Sequence, residues 1–161
     1  MAGKLIIVGG TGGIGSAVAR SMRQRSTDLH LIARAPEPLA ALAAELGASF
    51  SSADMLDEQG IADAIAEAGD DVAGLVYAVG SITLKSLARL TAAEMLADFR
   101  LNALGAALVL QAALPALKAH AGTASVVLFS SVAVQQGFSS HVSISMAKGA
   151  VEGLTHAAAA E

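Results

Sequence analysis

A parallel α/β sheet with helices on both faces is the fold this sequence predicts. Three observations predict it. Short apolar runs alternate with longer Ala- and Leu-rich stretches at helical spacing, which is the pattern of strands returned by crossover helices. A glycine cluster stands directly between the first run and the first helical stretch. The first, fourth and fifth runs are continuously apolar, as suits strands buried on both faces.

The strand runs are Leu5–Val8, Leu29–Ala33, Ala48–Ser51, Gly74–Ala78 and Val126–Phe129. Between them the helical stretches are Ile14–Gln24, Pro38–Leu46, Glu58–Ala68 and Thr91–His120, and a fifth helix begins near Val142 and runs to the terminus. Thr91-Ala92-Ala93-Glu94 reads as a capping box opening the fourth helix. Asp57 is placed to cap the third. No repeat, linker or composition break divides the chain, so residues 1–161 read as one domain.

Composition bounds the function. Of 161 residues, 54% are hydrophobic and 15% charged, which argues against disorder. The net charge of −4 provides no basic field for nucleic acid or an anionic membrane. Cysteine is absent, excluding disulfides, thiol catalysis and Cys-ligated metal. His30, His120 and His156 are too scattered to suggest a metal site. Leu101–Leu117 carries no charge, yet it is short and holds Asn102, Gln111 and Pro115, so it reads as a buried helix rather than a membrane span. Gly9-Gly10 cuts the first apolar run before a signal peptide could form. The expectation is a soluble, cytoplasmic protein.

Gly9-Gly10-Thr11-Gly12-Gly13-Ile14-Gly15 is the strongest local signal. Glycines between a strand and a helix let the backbone turn sharply and let a pyrophosphate approach. The helix N-terminus then offers unpaired N–H groups and a partial positive charge. Ile14-Gly15-Ser16 lacks the lysine of the other common phosphate loop.

The chain resembles the short-chain dehydrogenase/reductase family over essentially its whole length. Gly9, Gly13 and Gly15 match that family's three-glycine motif, and Thr11 and Ile14 go with them as cofactor-binding positions. Val8 stands where the family usually has Thr. Asp54-Met55 matches the acidic position near the adenine. Tyr77-Ala78-Val79-Gly80 keeps only the last residue of the family's Asn-Asn-Ala-Gly. Asn102, Ser131 and Lys148 match three of four catalytic positions, and Ala147–Leu154 is highly typical of the family. The resemblance implies a Rossmann-type sheet of strand order 3-2-1-4-5 and a nicotinamide cofactor. It also implies pairing into a dimer or tetramer through the fourth and fifth helices. That agrees with an apolar circumference on Leu101–Leu117 and an apolar surface at Val151, Leu154 and Ala157–Ala160.

Leu31-Ile32-Ala33-Arg34 has no acid where NAD-binding sheets carry one, and Arg34 is placed for a 2′-phosphate, so NADP(H) is favoured over NAD(H). The family's tyrosine, the general acid or base, falls on Ile144 whether counted from Ser131 or from Lys148. Isoleucine has no titratable proton. Ser143 and Ser145 flank the vacancy but point off its face. Tyr77 reads as wall on the adenosine side. The alternative proton routes are His141, three residues before Ile144, and a water linked to Lys148.

Two functions follow. One is an oxidoreductase moving hydride between NAD(P)(H) and a small-molecule carbonyl or alcohol, with altered proton transfer. Here Ser131 orients the substrate oxygen, Lys148 the cofactor, and Asn102 a water. The other is a non-catalytic NAD(P)-binding protein, a redox sensor or scaffold subunit. Five strands are one short of a full Rossmann sheet, and the chain stops inside a helix without a stop signal. The family's last strands are therefore expected to be missing by truncation, leaving Val126–Phe129 as an exposed apolar edge.

Overall fold

Successive strands joined by helices must run the same way, because each helix carries the chain back across the sheet before the next strand begins. The computed structural model, which describes residues 3–25 and 27–161, shows this. β1 (Lys4–Val8), α1 (Gly13–Gln24), β2 (Leu29–Ala33), α2 (Pro36–Leu46), β3 (Ser49–Ser52), α3 (Glu58–Ala66) and β4 (Val72–Tyr77) follow in order. They are followed by α4 (Ala92–Phe99), α5 (Gly105–Ala119), β5 (Ser125–Leu128) and α6 (Val142–Ala158). The five-stranded sheet has the order β3-β2-β1-β4-β5, as expected from the sequence.

The chain forms two compact units. The first comprises residues up to Val79 together with Leu108–Val127. Here β1 pairs in parallel with β2, Leu5 against Leu29, and with β4, Val8 against Tyr77. Ile6, Ile7, Val8, Leu31 and Leu75 lose all solvent contact, so apolar burial on both faces of the central strands dominates this core. His30 is buried among them, bridging Ser49 at 2.9 Å and Ser51 at 3.0 Å, while Ser51 donates to Glu67. Burial holds the His30 imidazole below its ordinary pKa. β5 departs from the reading of its run as doubly buried. Val126 and Val127 are 39% and 46% exposed, because β5 is the last strand on its side of the sheet.

The second unit comprises Gly80–Ala107 and Leu128–Glu161. The Thr91 capping box forms as expected: Thr91 Oγ1 accepts from the Glu94 N–H, and Glu94 accepts from the Thr91 N–H at 2.9 Å. Asp57, in the first unit, stands at the N-cap of α3, but its carboxylate makes no capping bond. The expected single helix from Thr91 to His120 is interrupted by a π-helical turn at Arg100–Leu104. The physical reason is a side chain. Asn102 Nδ2 donates at 2.9 Å to the carbonyl of Asp98, the acceptor that an α-helix would give to the Asn102 backbone N–H.

The helical run 92–119 is long and apolar enough to cross a membrane by length and composition alone. Its two most buried polar residues are held by the protein: Asp98 and Asn102 are each 1% exposed, and both are hydrogen-bonded within the second unit. The apolar surface agrees with the expected one in part. Val151 is 3% exposed, but Leu154 is half-buried and Ala157, Ala159 and Ala160 are exposed, and Leu96, Phe99 and Met146 add to them at 58%, 42% and 59%.

Candidate functional site

In the first unit, β1 delivers the chain into the glycine loop. Gly9 has φ +84°, and a Cβ there would lie 2.8 Å from the Ala78 carbonyl oxygen. A Cβ on Gly15 would lie 2.1 Å from the Gly9 carbonyl oxygen, so only glycine lets α1 start this close to the turn. Gly13 is different. A Cβ there meets nothing within 4 Å, so the fold itself does not require its bare backbone. No side chain caps the N-terminus of α1, and its first turn has no acid. The result is an exposed helix N-terminus with open backbone, beside an Ile14 side chain that is 53% exposed. Thr11 is exposed next to it. This arrangement suits an anion flanked by an apolar or aromatic group.

Arg34 leaves the end of β2 with its guanidinium exposed and no carboxylate paired to it among the described residues. Its carbonyl accepts from Ser52 Oγ at 3.0 Å, which ties the end of β2 to β3. Asp54 Oδ1 accepts from the Leu56 N–H at 3.0 Å, so its carboxylate closes the turn before α3. Met55 is buried beside it. Tyr77 is also buried, and burial pushes its phenol well above its ordinary pKa. A phenol so shifted is a poor proton donor.

In the second unit two expected residues, Asn102 and Lys148, come together beside Gly80. A Cβ on Gly80 would lie 2.7 Å from Asn102 Oδ1 and 3.7 Å from Lys148 Nζ. Asn102 Nδ2 donates to the Ser81 carbonyl at 3.1 Å as well as to Asp98, but Oδ1 is buried with no partner. Lys148 Nζ also has no hydrogen bond or ion pair among the described residues, and burial lowers its pKa from the ordinary lysine value. An unpaired carbonyl oxygen and an unpaired, half-buried amine beside one bare Cα are costly unless a polar ligand or water completes them.

Ser131 caps the short helical turn Val132–Val134, its Oγ accepting from the Ala133 N–H at 3.2 Å. Ser145 Oγ donates to the Ala133 carbonyl at 2.8 Å, which ties that turn to α6. Ser130 Oγ donates to Glu152 at 2.5 Å and makes a second tie. Ile144 is 3% exposed. His141 is half-buried at the N-cap of α6, with Nδ1 2.7 Å from the Ser139 carbonyl oxygen.

One group was not singled out from the sequence. The Asp98 carboxylate, 1% exposed, accepts from Ser143 Oγ at 2.6 Å, Ser81 Oγ at 2.7 Å and the Thr83 N–H at 3.2 Å. Burial alone would raise its pKa, and these hydrogen bonds outweigh burial and lower it. The same network engages Ser143, removing it as a free hydroxyl.

Comparison with known proteins places this geometry. The short chain dehydrogenase family matches residues 4–161. The chain is 34% identical to a bovine (Bos taurus) 3-oxoacyl-[acyl-carrier-protein] reductase over 161 residues, covering 96% of this chain and 67% of that protein. It is 32% identical to a 3-dehydrosphinganine reductase of Arabidopsis thaliana, covering 95% of this chain and 48% of that protein. Among solved structures, actinorhodin polyketide ketoreductase with NADPH superposes with a TM-score of 0.89 at 25% identity, covering 97% of this chain and 63% of the other. The chain thus spans between about half and two thirds of the length of these relatives.

Proposed function

The chain belongs to the short-chain dehydrogenase family, and from that premise we propose that it is an NAD(P)(H)-dependent oxidoreductase acting on a small-molecule carbonyl or alcohol. The observation that carries this reading is Asn102 Oδ1, buried without a partner beside Gly80, with the half-buried Lys148 amine next to it. A buried amide oxygen is ordinarily paired, so a bound polar group is its expected partner.

The residues present fit a dinucleotide. Gly9, Thr11, Gly13, Ile14 and Gly15 supply open backbone at an uncapped helix N-terminus for its phosphates. Gly13 gives the clearest support, since nothing in the fold crowds it. Asp54, Met55 and Gly80 are proposed for the adenine side and the neighbouring backbone. Arg34 faces a 2′-phosphate, so NADP(H) is favoured. When bound, the nicotinamide supplies or accepts hydride. Lys148 holds the ribose by donating hydrogen bonds, which replace part of the solvation its amine loses on burial. Ser131 orients the substrate oxygen, and Asn102 Oδ1 accepts from a water that reaches the Lys148 amine. Self-association through the exposed apolar residues of α4 and α6 completes the reading.

Titration calorimetry with NADPH and NADH tests it. NADPH is expected to bind more tightly, and Arg34→Ala is expected to weaken NADPH by about 10–100-fold while leaving NADH nearly unchanged. Absence of binding by either nucleotide would overturn the proposal. The second reading, a nucleotide-binding protein without turnover, is favoured by one observation: the tyrosine position is filled by a buried isoleucine.

A further inference from the structure

We infer that His141 is the group that gives and takes the substrate proton, in place of the tyrosine absent at position 144. The inference rests on the oxidoreductase reading above. Ile144 and Lys148, at i and i+4, share one stripe along α6, and His141 is the N-cap that opens the helix, its carbonyl accepting from the Ser145 N–H at 2.9 Å. Lys148 Nζ lies beside Gly80.

The hydrogen bonding of the imidazole decides its role. A carbonyl oxygen can only accept, so the 2.7 Å contact with Ser139 puts the proton on His141 Nδ1. The neutral ring then carries its lone pair on Nε2. The loop before it is held in place. Ser140 has φ 64°, the one non-glycine residue with positive φ among those described. The Lys85 N–H donates to its carbonyl at 2.9 Å. A non-glycine residue persists in that region only where its surroundings enforce it, and such residues cluster at functional sites. The Phe138 ring lies 5.5 Å from the imidazole, centroid to centroid, with the two planes 51° apart.

The competing hydroxyls are engaged elsewhere. Ser143 donates to Asp98, Ser145 to the Ala133 carbonyl and Ser130 to Glu152. The chemistry balances with His141 alone. In the reducing direction the carbonyl carbon gains a hydride from NAD(P)H, which is oxidised to NAD(P)+. The π pair of the carbonyl moves onto oxygen, and oxygen takes the proton from Nε2 of the imidazolium. The ring is left neutral with its proton on Nδ1, the tautomer that the Ser139 carbonyl already holds. Solvent returns the proton to Nε2.

The experiment follows NADPH oxidation over a panel of small aldehydes and ketones, alongside NADPH binding and nitrogen-15 NMR of histidine-labelled protein. Wild type is expected to reduce at least one carbonyl of the panel. His141→Phe should lower kcat on the order of 10²–10⁴-fold with the NADPH Kd unchanged. Added imidazole should restore turnover to His141→Ala. The NMR spectrum should show neutral His141 protonated on Nδ1. Wild-type kcat in His141→Phe, a His141 protonated on Nε2, or a wild type that binds NADPH but reduces nothing would each overturn the inference. The last of these leaves nucleotide binding intact, whereas failure to bind NADPH would overturn the underlying reading instead.

Discussion

Ile144 fills the position where the family resemblance leads one to expect a proton-transferring tyrosine, and its side chain carries no exchangeable proton. The vacancy was legible through the family resemblance, which implies a tyrosine thirteen residues after Ser131 and four before Lys148, and both counts meet there. What spacing does not reveal is whether the position points inward. The structure places it at 3% exposure. Ile144→Tyr is therefore an addition of volume to a packed site, expected to cost about 1–3 kcal/mol in urea unfolding. Introduced into His141→Phe, it is expected to raise ketone reduction with NADPH on the order of 10²-fold, because a phenol returns a proton donor to the stripe. If the double variant binds NADPH and stays as inactive as His141→Phe, position 144 does not face the substrate oxygen. The juxtaposition of Gly80, Asn102 and Lys148 was only half legible. Each residue was identified singly, but the unpaired state of Asn102 Oδ1 and Lys148 Nζ exists only once distant segments meet.

At the scale of elements, boundaries set by local chemistry were legible and those set by tertiary contacts were not. The Thr91 capping box is a contact across one helical turn, and it forms as the sequence reads. The break in the helix at Arg100–Leu104 depends on Asn102 turning its amide toward Asp98 and Ser81, and no periodicity announces that. Asp98 itself reads as an ordinary charge on a helix, because its partners Ser81, Thr83 and Ser143 come from two other stretches of chain. Its carboxylate joins α4, the loop after Gly80 and the first turn of α6. Asp98→Ala would strand two hydroxyls and one backbone N–H in a buried place, at an expected cost of about 3 kcal/mol in urea unfolding. Ser143→Ala, which removes one donor from a carboxylate keeping two, should cost about 1 kcal/mol. Equal, negligible costs for both variants would show that this network is solvated and does not fix the start of α6.

At the scale of the molecule, the parallel sheet was legible in the alternation of runs, while its strand order was expected from the family resemblance. Solvent exposure was less legible, because apolar residues read alike whether they face a sheet or water. Leu101–Leu117 looked apolar on every side, and the structure buries Ala106, Val109, Ala113 and Leu117 at 7% exposure or less. The apolar surface remaining on the second unit is instead Leu96, Phe99 and Leu104 at the start of the long helix, with Met146 on α6. Leu96 and Phe99 are one helical turn apart, so they offer apolar side chains on one side of α4. A second copy of the chain is the expected occupant, consistent with the self-association proposed above. Light scattering at micromolar concentration should give a dimer or tetramer, and Phe99→Glu combined with Met146→Glu should give a monomer with unchanged NADPH affinity. The exposed valines of β5 offer a competing route, in which two sheets join edge to edge. Val127→Lys separates the two, since it should abolish association only if the sheet edge mediates it. A wild type that stays monomeric would show that neither surface is used.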